Sequence, residues 1–178
     1  MKLDSIKNNA LKKNVLTAIF AAIIAVTTAF IKIPTGINGG YVHVGDSMIY
    51  LAGCLLGPYA AIAASIGGAL ADILAGAAIW AIPTAIIKPI NSLPFIIATA
   101  YYVKKKGYHK IIHPSTILMT VVSGLITIFG YYIAEGIMFS FDAALLTSAL
   151  GLIQPIGSAV VFIIIGFALD KIKIQKYF

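Results

Sequence analysis

Long apolar runs, separated by glycine, proline or blocks of lysine, fill nearly the whole chain. Runs of this length read as helices, and six are predicted, over residues 15–33, 47–57, 58–76, 83–103, 115–139 and 143–169. A bilayer span takes roughly 20 apolar residues. The second helix is short for that purpose, at about 16 Å if fully helical. It meets the third at Gly57-Pro58, a pair that ends one helix and starts the next, because proline tolerates only the first turn of a helix. A tight helical hairpin is expected there.

Composition turns this pattern into a membrane assignment. Of the 178 residues, 60% are hydrophobic and 11% are charged, against about a quarter charged in soluble domains. The expectation is an all-α membrane protein, a six-transmembrane-helix bundle forming a single domain over residues 1–178. The net charge of +7 does not imply nucleic acid, because 11 of the 13 lysines sit in three blocks between apolar runs. Lys2, Lys7, Lys12 and Lys13 precede the first helix, Lys104, Lys105, Lys106 and Lys110 follow the fourth, and Lys171, Lys173 and Lys176 follow the sixth. The positive-inside bias then puts both termini in the cytoplasm. The first apolar run continues to Ile33 without an A-x-A site, so an uncleaved helix is expected rather than a signal peptide. Cys54 is the single cysteine, which excludes an intramolecular disulfide and suits a small packed hydrophobe.

Against this background the few polar residues within the runs stand out. Counted from their outer ends, Asp72 in helix three, Lys88 in helix four and Glu135 in helix five each lie a little over one turn deep. Asn91 follows Lys88 by three residues and Tyr131 precedes Glu135 by four, spacings that share a helix face. Ionisable groups in spans face the bundle interior, where they pair or line a cavity. Two readings fit: a structural Asp72–Lys88 ion pair, or a polar ligand site that also uses Glu135 and Asn91. Gln154 precedes Pro155 and either satisfies the carbonyl freed by that proline or reaches the cavity.

The outer loop between helices one and two, "PTGINGGYVHVGD", is glycine-rich and carries Tyr41, His43 and Asp46. Its glycines permit positive φ and close approach to a ligand. Asp46 is also placed to N-cap the second helix. Trp80, in the next outer loop, fits either an interfacial belt or a stacking wall. His109 and His113 fall in the basic loop after helix four, where solvent or headgroup contacts are expected. No cluster of histidine or cysteine has ligand spacing, so no metal site is expected.

Helix one carries small residues at Ala18, Ala21, Ala22, Ala25 and Ala29. Such a stripe lets helices approach closely in lipid, against either another helix of the bundle or a partner. Metalloprotease, α/β-hydrolase and Walker A signatures are absent, so the chain reads as no enzyme, and any uphill transport must draw energy from a partner or an ion gradient.

The run "YVHVGDSMIYLAGCLLGPYAAIAASIGGALADILAG", followed by "AIWAIPTAIIKPINSLPF", resembles the substrate-binding S components of energy-coupling factor (ECF) vitamin importers, in the riboflavin-type branch that includes hydroxymethylpyrimidine and pyridoxine proteins. The resemblance implies a small vitamin-like ligand bound under the first loop by Tyr41, His43, Asp46, Asp72, Trp80, Lys88, Asn91, Tyr131, Glu135 and Gln154. It implies a coupling transmembrane subunit docked on helix one, through Ala18 and Ala22 or through Ala21 and Ala25. It also implies two cytoplasmic ABC-type ATPases that use the ATP, so no cofactor is expected on this chain. A B6 vitamer or hydroxymethylpyrimidine suits a site with acids and a lysine. The rival reading is an autonomous proton-coupled carrier with Asp72 or Glu135 as the proton site.

Overall fold

The computed structural model describes the backbone of residues 2–178 and the side chains of residues 10–178. Lys2 and Lys7 of the first basic block lie outside the described side chains. Helix α1 spans Lys2–Phe30, strands β1 and β2 are Lys32–Pro34 and Tyr41–His43, and helices α2 and α3 are Asp46–Leu56 and Tyr59–Leu74. A 3₁₀ turn, Ala78–Trp80, leads into α4, Ala81–Lys106, which is followed by α5, Pro114–Met138, α6, Phe141–Gly151, and α7, Ile153–Lys171. Four stretches are long and apolar enough to cross a membrane: Ala10–Phe30, Ala78–Lys106, Pro114–Met138 and the joined α6 and α7, Phe141–Lys171.

The predicted helices are present, with three differences. The helix expected over residues 143–169 is interrupted at Leu152. Pro155 has no N–H and its ring excludes the carbonyl of Gly151, four residues earlier. Helix α3 has 16 residues and joins α2 among the shorter apolar helices. The outer loop is not purely irregular: β1 and β2 pair antiparallel, Ile33 opposite Val42. Gly36 and Gly39 take positive φ in the loop between them.

Short α2 occupies the centre of the bundle. It packs against α1, α3, α4 and α7, and Asp46, Ser47 and Ile49 to Leu55 are all buried. It ends at Leu56, where Gly57 turns with φ +56° and Pro58 starts α3 as its N-cap. Since α2 is about 16 Å long and α3 about 24 Å, the start of α2, with Asp46, lies inside the bundle rather than at its rim.

Small residues set the helix spacing. A Cβ on Gly67 of α3 would lie 2.5 Å from the Ala21 carbonyl oxygen, and one on Gly68 would meet Thr84 at 2.7 Å and the Lys88 stem at 3.1 Å. Helix α3 is thus clamped between α1 and α4. The alanines of α1 divide accordingly: Ala21, Ala25 and Ala29 are buried, while Ala18 and Ala22 are exposed. Pro89 inside α4 leaves the Ala85 carbonyl without its helical donor, and Ser65 of α3 donates its hydroxyl to that oxygen at 2.9 Å.

At the basic end, the two Asp170 oxygens accept from the Ile111 and Ile112 amides at 2.8 and 2.9 Å, tying α7 to the α4–α5 loop. His113 is not solvated as expected. It is buried and stacked on Tyr102 at 4.0 Å, because this tie draws the loop onto the bundle; burial lowers the pKa of both His113 and His109.

One ion pair joins four helices. Lys88 Nζ of α4 donates to Asp46 Oδ1 of α2 at 2.6 Å, with 1% and 0% of the side chains exposed. Gln154 Nε2 of α7 donates to Asp46 Oδ2 at 2.9 Å. Tyr131 of α5 lays its ring 5.2 Å from the ammonium. Asp46 therefore does not cap α2: Gly45 holds the N-cap position without a side-chain bond, and the carboxylate turns inward to the lysine. The Asp72–Lys88 pair allowed by the matching depths is absent among the described residues.

Two outcomes follow from this packing, both read from melting temperatures of the purified protein. Breaking a buried pair strands a charge, which costs about 3–5 kcal/mol, so Lys88→Met destabilises by that amount. Lys88→Met combined with Asp46→Asn, which keeps an acceptor for Gln154, regains more than half of it. Gly67→Ala costs about 1–3 kcal/mol through overpacking. Gly157→Ala, whose Cβ meets only Val44 at 3.5 Å, is neutral or stabilising by up to about 1 kcal/mol.

Candidate functional site

A cavity opens at the end opposite the lysine blocks, beneath the β-hairpin, with about 660 Å³ of atom-free space including its mouth. Its walls come from β2, α3, the 3₁₀ turn, α5, α6 and α7. Of the sequence-predicted residues, Tyr41, His43, Asp72, Trp80 and Tyr131 line it together with Glu135 and Gln154. Asp46, Lys88 and Asn91 do not; they lie behind the wall.

The hairpin forms the roof and is bolted down at three points. Tyr41 Oη donates to Asp72 Oδ1 at 2.6 Å, a buried contact that, with desolvation as the larger cause, raises the Tyr41 pKa. At the hairpin tip, Asn38 donates its amide to Glu135 Oε1 at 2.6 Å, while its carbonyl accepts from Trp80 Nε1 at 3.1 Å. Asn38 reaches both because it takes φ +49°, a left-handed conformation that asparagine adopts more readily than most residues. Lys32 holds the hairpin's edge by donating to the Ala75 carbonyl at 2.8 Å, its ammonium 5.0 Å from the centre of the Tyr41 ring.

Trp80 is 5% exposed and packs edge-on to Tyr131, with Phe139 also 6.0 Å away. This excludes the interfacial-belt reading: the 3₁₀ turn before α4 rotates the indole under the hairpin. His43 is buried, with Nδ1 accepting from the Gly45 amide at 3.0 Å. Burial first, then the Lys88 ammonium behind it, pushes its pKa down to about 3, so the imidazole is neutral.

Behind the wall, Thr84 and Tyr131 share a hydrogen bond of 2.8 Å. Asn91 is fully buried, and neither end of its side-chain amide has a partner among the described residues. Its backbone carbonyl accepts from the Ser123 hydroxyl of α5 at 2.5 Å. Unpaired buried amides of this kind are commonly completed by ordered water.

Reading the sequence alone missed Asn38, Thr127 and Thr147. Thr127 lines the cavity, and with Ser123, Tyr131 and Glu135 it makes an i, i+4 polar stripe along α5 that the sequence does display. Thr147 of α6 donates to Glu135 Oε1 at 3.0 Å. No sequence signal marks it, since its approach depends on the turn between α5 and α6. Nor does any sequence signal mark Asn38.

Comparison with known proteins adds a family to this geometry. An uncharacterized protein in the gap 3′ region of Pyrococcus woesei is 28% identical over 149 residues, 83% of this chain and 95% of that protein. A UPF0397 protein of Lactiplantibacillus plantarum is 37% identical over 75 residues, 42% of this chain and 40% of its own length. The model of the family described as "ECF-type riboflavin transporter, S component" matches residues 8–172. With nearly the whole chain matched, and with apolar helices around a cavity lined by aromatic and acidic side chains, this protein belongs to the ECF-type S component family, membrane proteins of vitamin transport and not enzymes.

Proposed function

We propose that this chain is the high-affinity binding subunit of an ATP-driven ECF importer, and that it takes up a small water-soluble vitamin or precursor, a B6 vitamer such as pyridoxine or hydroxymethylpyrimidine. The observation that carries the reading is the cavity under the hairpin. It has an aromatic wall at Trp80 and Tyr131 and two acids at Asp72 and Glu135, and its back is sealed by a buried ion pair. Aromatic faces hold a heterocycle, and a few convergent polar groups orient it. Hydroxyls or ring N–H groups on the ligand would meet the acids.

The orientation proposed is a six-span bundle with both termini cytoplasmic. The exposed Lys12, Lys13, Lys104, Lys105, Lys106 and Lys171 gather at one end, in line with the positive-inside bias. In that arrangement the hairpin roofs the outer half of the α2 span. The cavity then faces outward, as an importer's receptor requires.

The coupling subunit is proposed to dock on the outer face of α1. Ala18 and Ala22 are exposed there, beside Tyr59, Ile62 and Ile66 of α3, whereas Ala21 and Ala25 are spent on internal packing. The ATPases would bind that subunit, and ATP would not touch this chain.

Vesicle uptake of the vitamin that copurifies with the protein tests the reading. Uptake requires the coupling subunit, the ATPases and ATP, and it survives dissipation of the proton gradient. Uptake by this chain alone, driven by a pH gradient, would instead establish a carrier. On the interface, Ala18→Trp or Ala22→Trp lowers recovery of the coupling subunit in pull-downs at least about tenfold, equivalent to roughly 1.4 kcal/mol, and leaves ligand affinity within about twofold of the parent.

A further inference from the structure

We propose that the cavity selects a cationic aromatic heterocycle with a donor-rich edge, read by Asp72 and Glu135, and rejects anionic vitamers. The inference deepens the binding-subunit reading and rests on it.

The charges around this one cavity are unevenly distributed. Lys88 is the lysine nearest to it from within the bundle, but its ammonium is committed to Asp46 at 2.6 Å and does not line the wall. Lys32 at the rim is held by the Ala75 carbonyl. His43 lines the cavity as a neutral ring whose Nδ1 already accepts the Gly45 amide. The charged groups that do line it are Asp72 and Glu135, 4% and 2% exposed.

Both acids have acceptor capacity to spare. Tyr41 takes Asp72 Oδ1, and Oδ2 is buried with no partner among the described residues. Asn38 and Thr147 both donate to Glu135 Oε1, and no described group donates to Oε2. Buried carboxyls without a countercharge are costly, and no lysine among the lining residues supplies one. An amidine-like edge, such as that of a protonated aminopyrimidine, supplies two parallel N–H donors to a carboxylate. Its ring can stack against Trp80, whose face attracts positive charge.

A phosphate or carboxylate on the ligand would bring a further negative charge into a cavity that has no free lysine among its lining residues. Riboflavin, neutral and rich in acceptors at its dione edge, would leave acid oxygens unpaired unless its hydroxyls reached them. Of the two ligands proposed above, the pyrimidine fits this inventory better than pyridoxine, and phosphorylated B6 forms are excluded.

Trp80, the single tryptophan, is a built-in probe. Quenching of its fluorescence in the purified intact protein is titrated with 4-amino-5-hydroxymethyl-2-methylpyrimidine, thiamine, pyridoxine, pyridoxal 5′-phosphate and riboflavin. The expected result is that one of the two aminopyrimidines binds at least about tenfold tighter than the other three. Asp72→Asn and Glu135→Gln should then each weaken that ligand by about 10- to 100-fold. Tighter binding of riboflavin, pyridoxine or the phosphate ester overturns the charge selection and leaves the binding-subunit reading standing. So does an aminopyrimidine affinity that neither variant changes. Because the panel on the parent protein decides by itself, a variant that misfolds does not remove the test. No binding by any of the five overturns both readings.

Discussion

Two opposite charges buried where neither can reach water set the terms for the rest of this molecule. Lys88 and Asp46 meet at 2.6 Å with almost no exposed surface, and a pair in such surroundings is tolerable only if its remaining hydrogen-bonding capacity is met. Gln154 supplies one donor to the carboxylate, and the Tyr131 ring shields the ammonium. Since these four groups come from α2, α4, α5 and α7, satisfying one lysine fixes the relative depth and rotation of four helices. The same demand draws the first residue of α2 into the bundle and brings the β-hairpin down with it. The roof of the cavity is thereby coupled to the interior of the fold.

That arrangement divides the acids into two kinds. Asp46 is neutralised and structural. Asp72 and Glu135 are held only by neutral donors, Tyr41 on one side and Asn38 with Thr147 on the other. Their donors come largely from the hairpin, so the groups that hold the roof down are also the groups a ligand would engage. Any molecule entering this cavity would meet the same acids that hold its roof.

Close packing without a hydrophobic driving force explains the remaining architecture. Helices in lipid gain little from burying apolar surface against each other, so backbone proximity and polar repair decide which faces meet. Gly67 and Gly68 let α3 lie against both α1 and α4, and Ser65 on the same helix repairs the hydrogen bond that Pro89 removes from α4. The alanine-rich helix α1 buries Ala21, Ala25 and Ala29 within the bundle and leaves Ala18 and Ala22 uncovered.

The sequence by itself determined that the chain is an apolar helical membrane protein, roughly where most of its helices run, that a glycine-rich loop precedes the second helix, and that Asp72, Lys88 and Glu135 are buried. These follow from hydropathy, from the punctuation of glycine and proline, and from the cost of charge in hydrocarbon, all of which act along the chain. Depth counting placed Asp72, Lys88 and Glu135 at one level, but level says nothing of rotation about a helix axis. Only the tertiary structure decided that Lys88 pairs with Asp46 rather than Asp72 and that Trp80 turns inward. It also decided that Asn38 bridges the roof to Glu135 and that the last helix breaks before Pro155. Each of those outcomes joins residues tens of positions apart, or depends on which of several tolerated local geometries lets a buried polar group find its partner. That choice is made by packing, after the local pattern has said all it can.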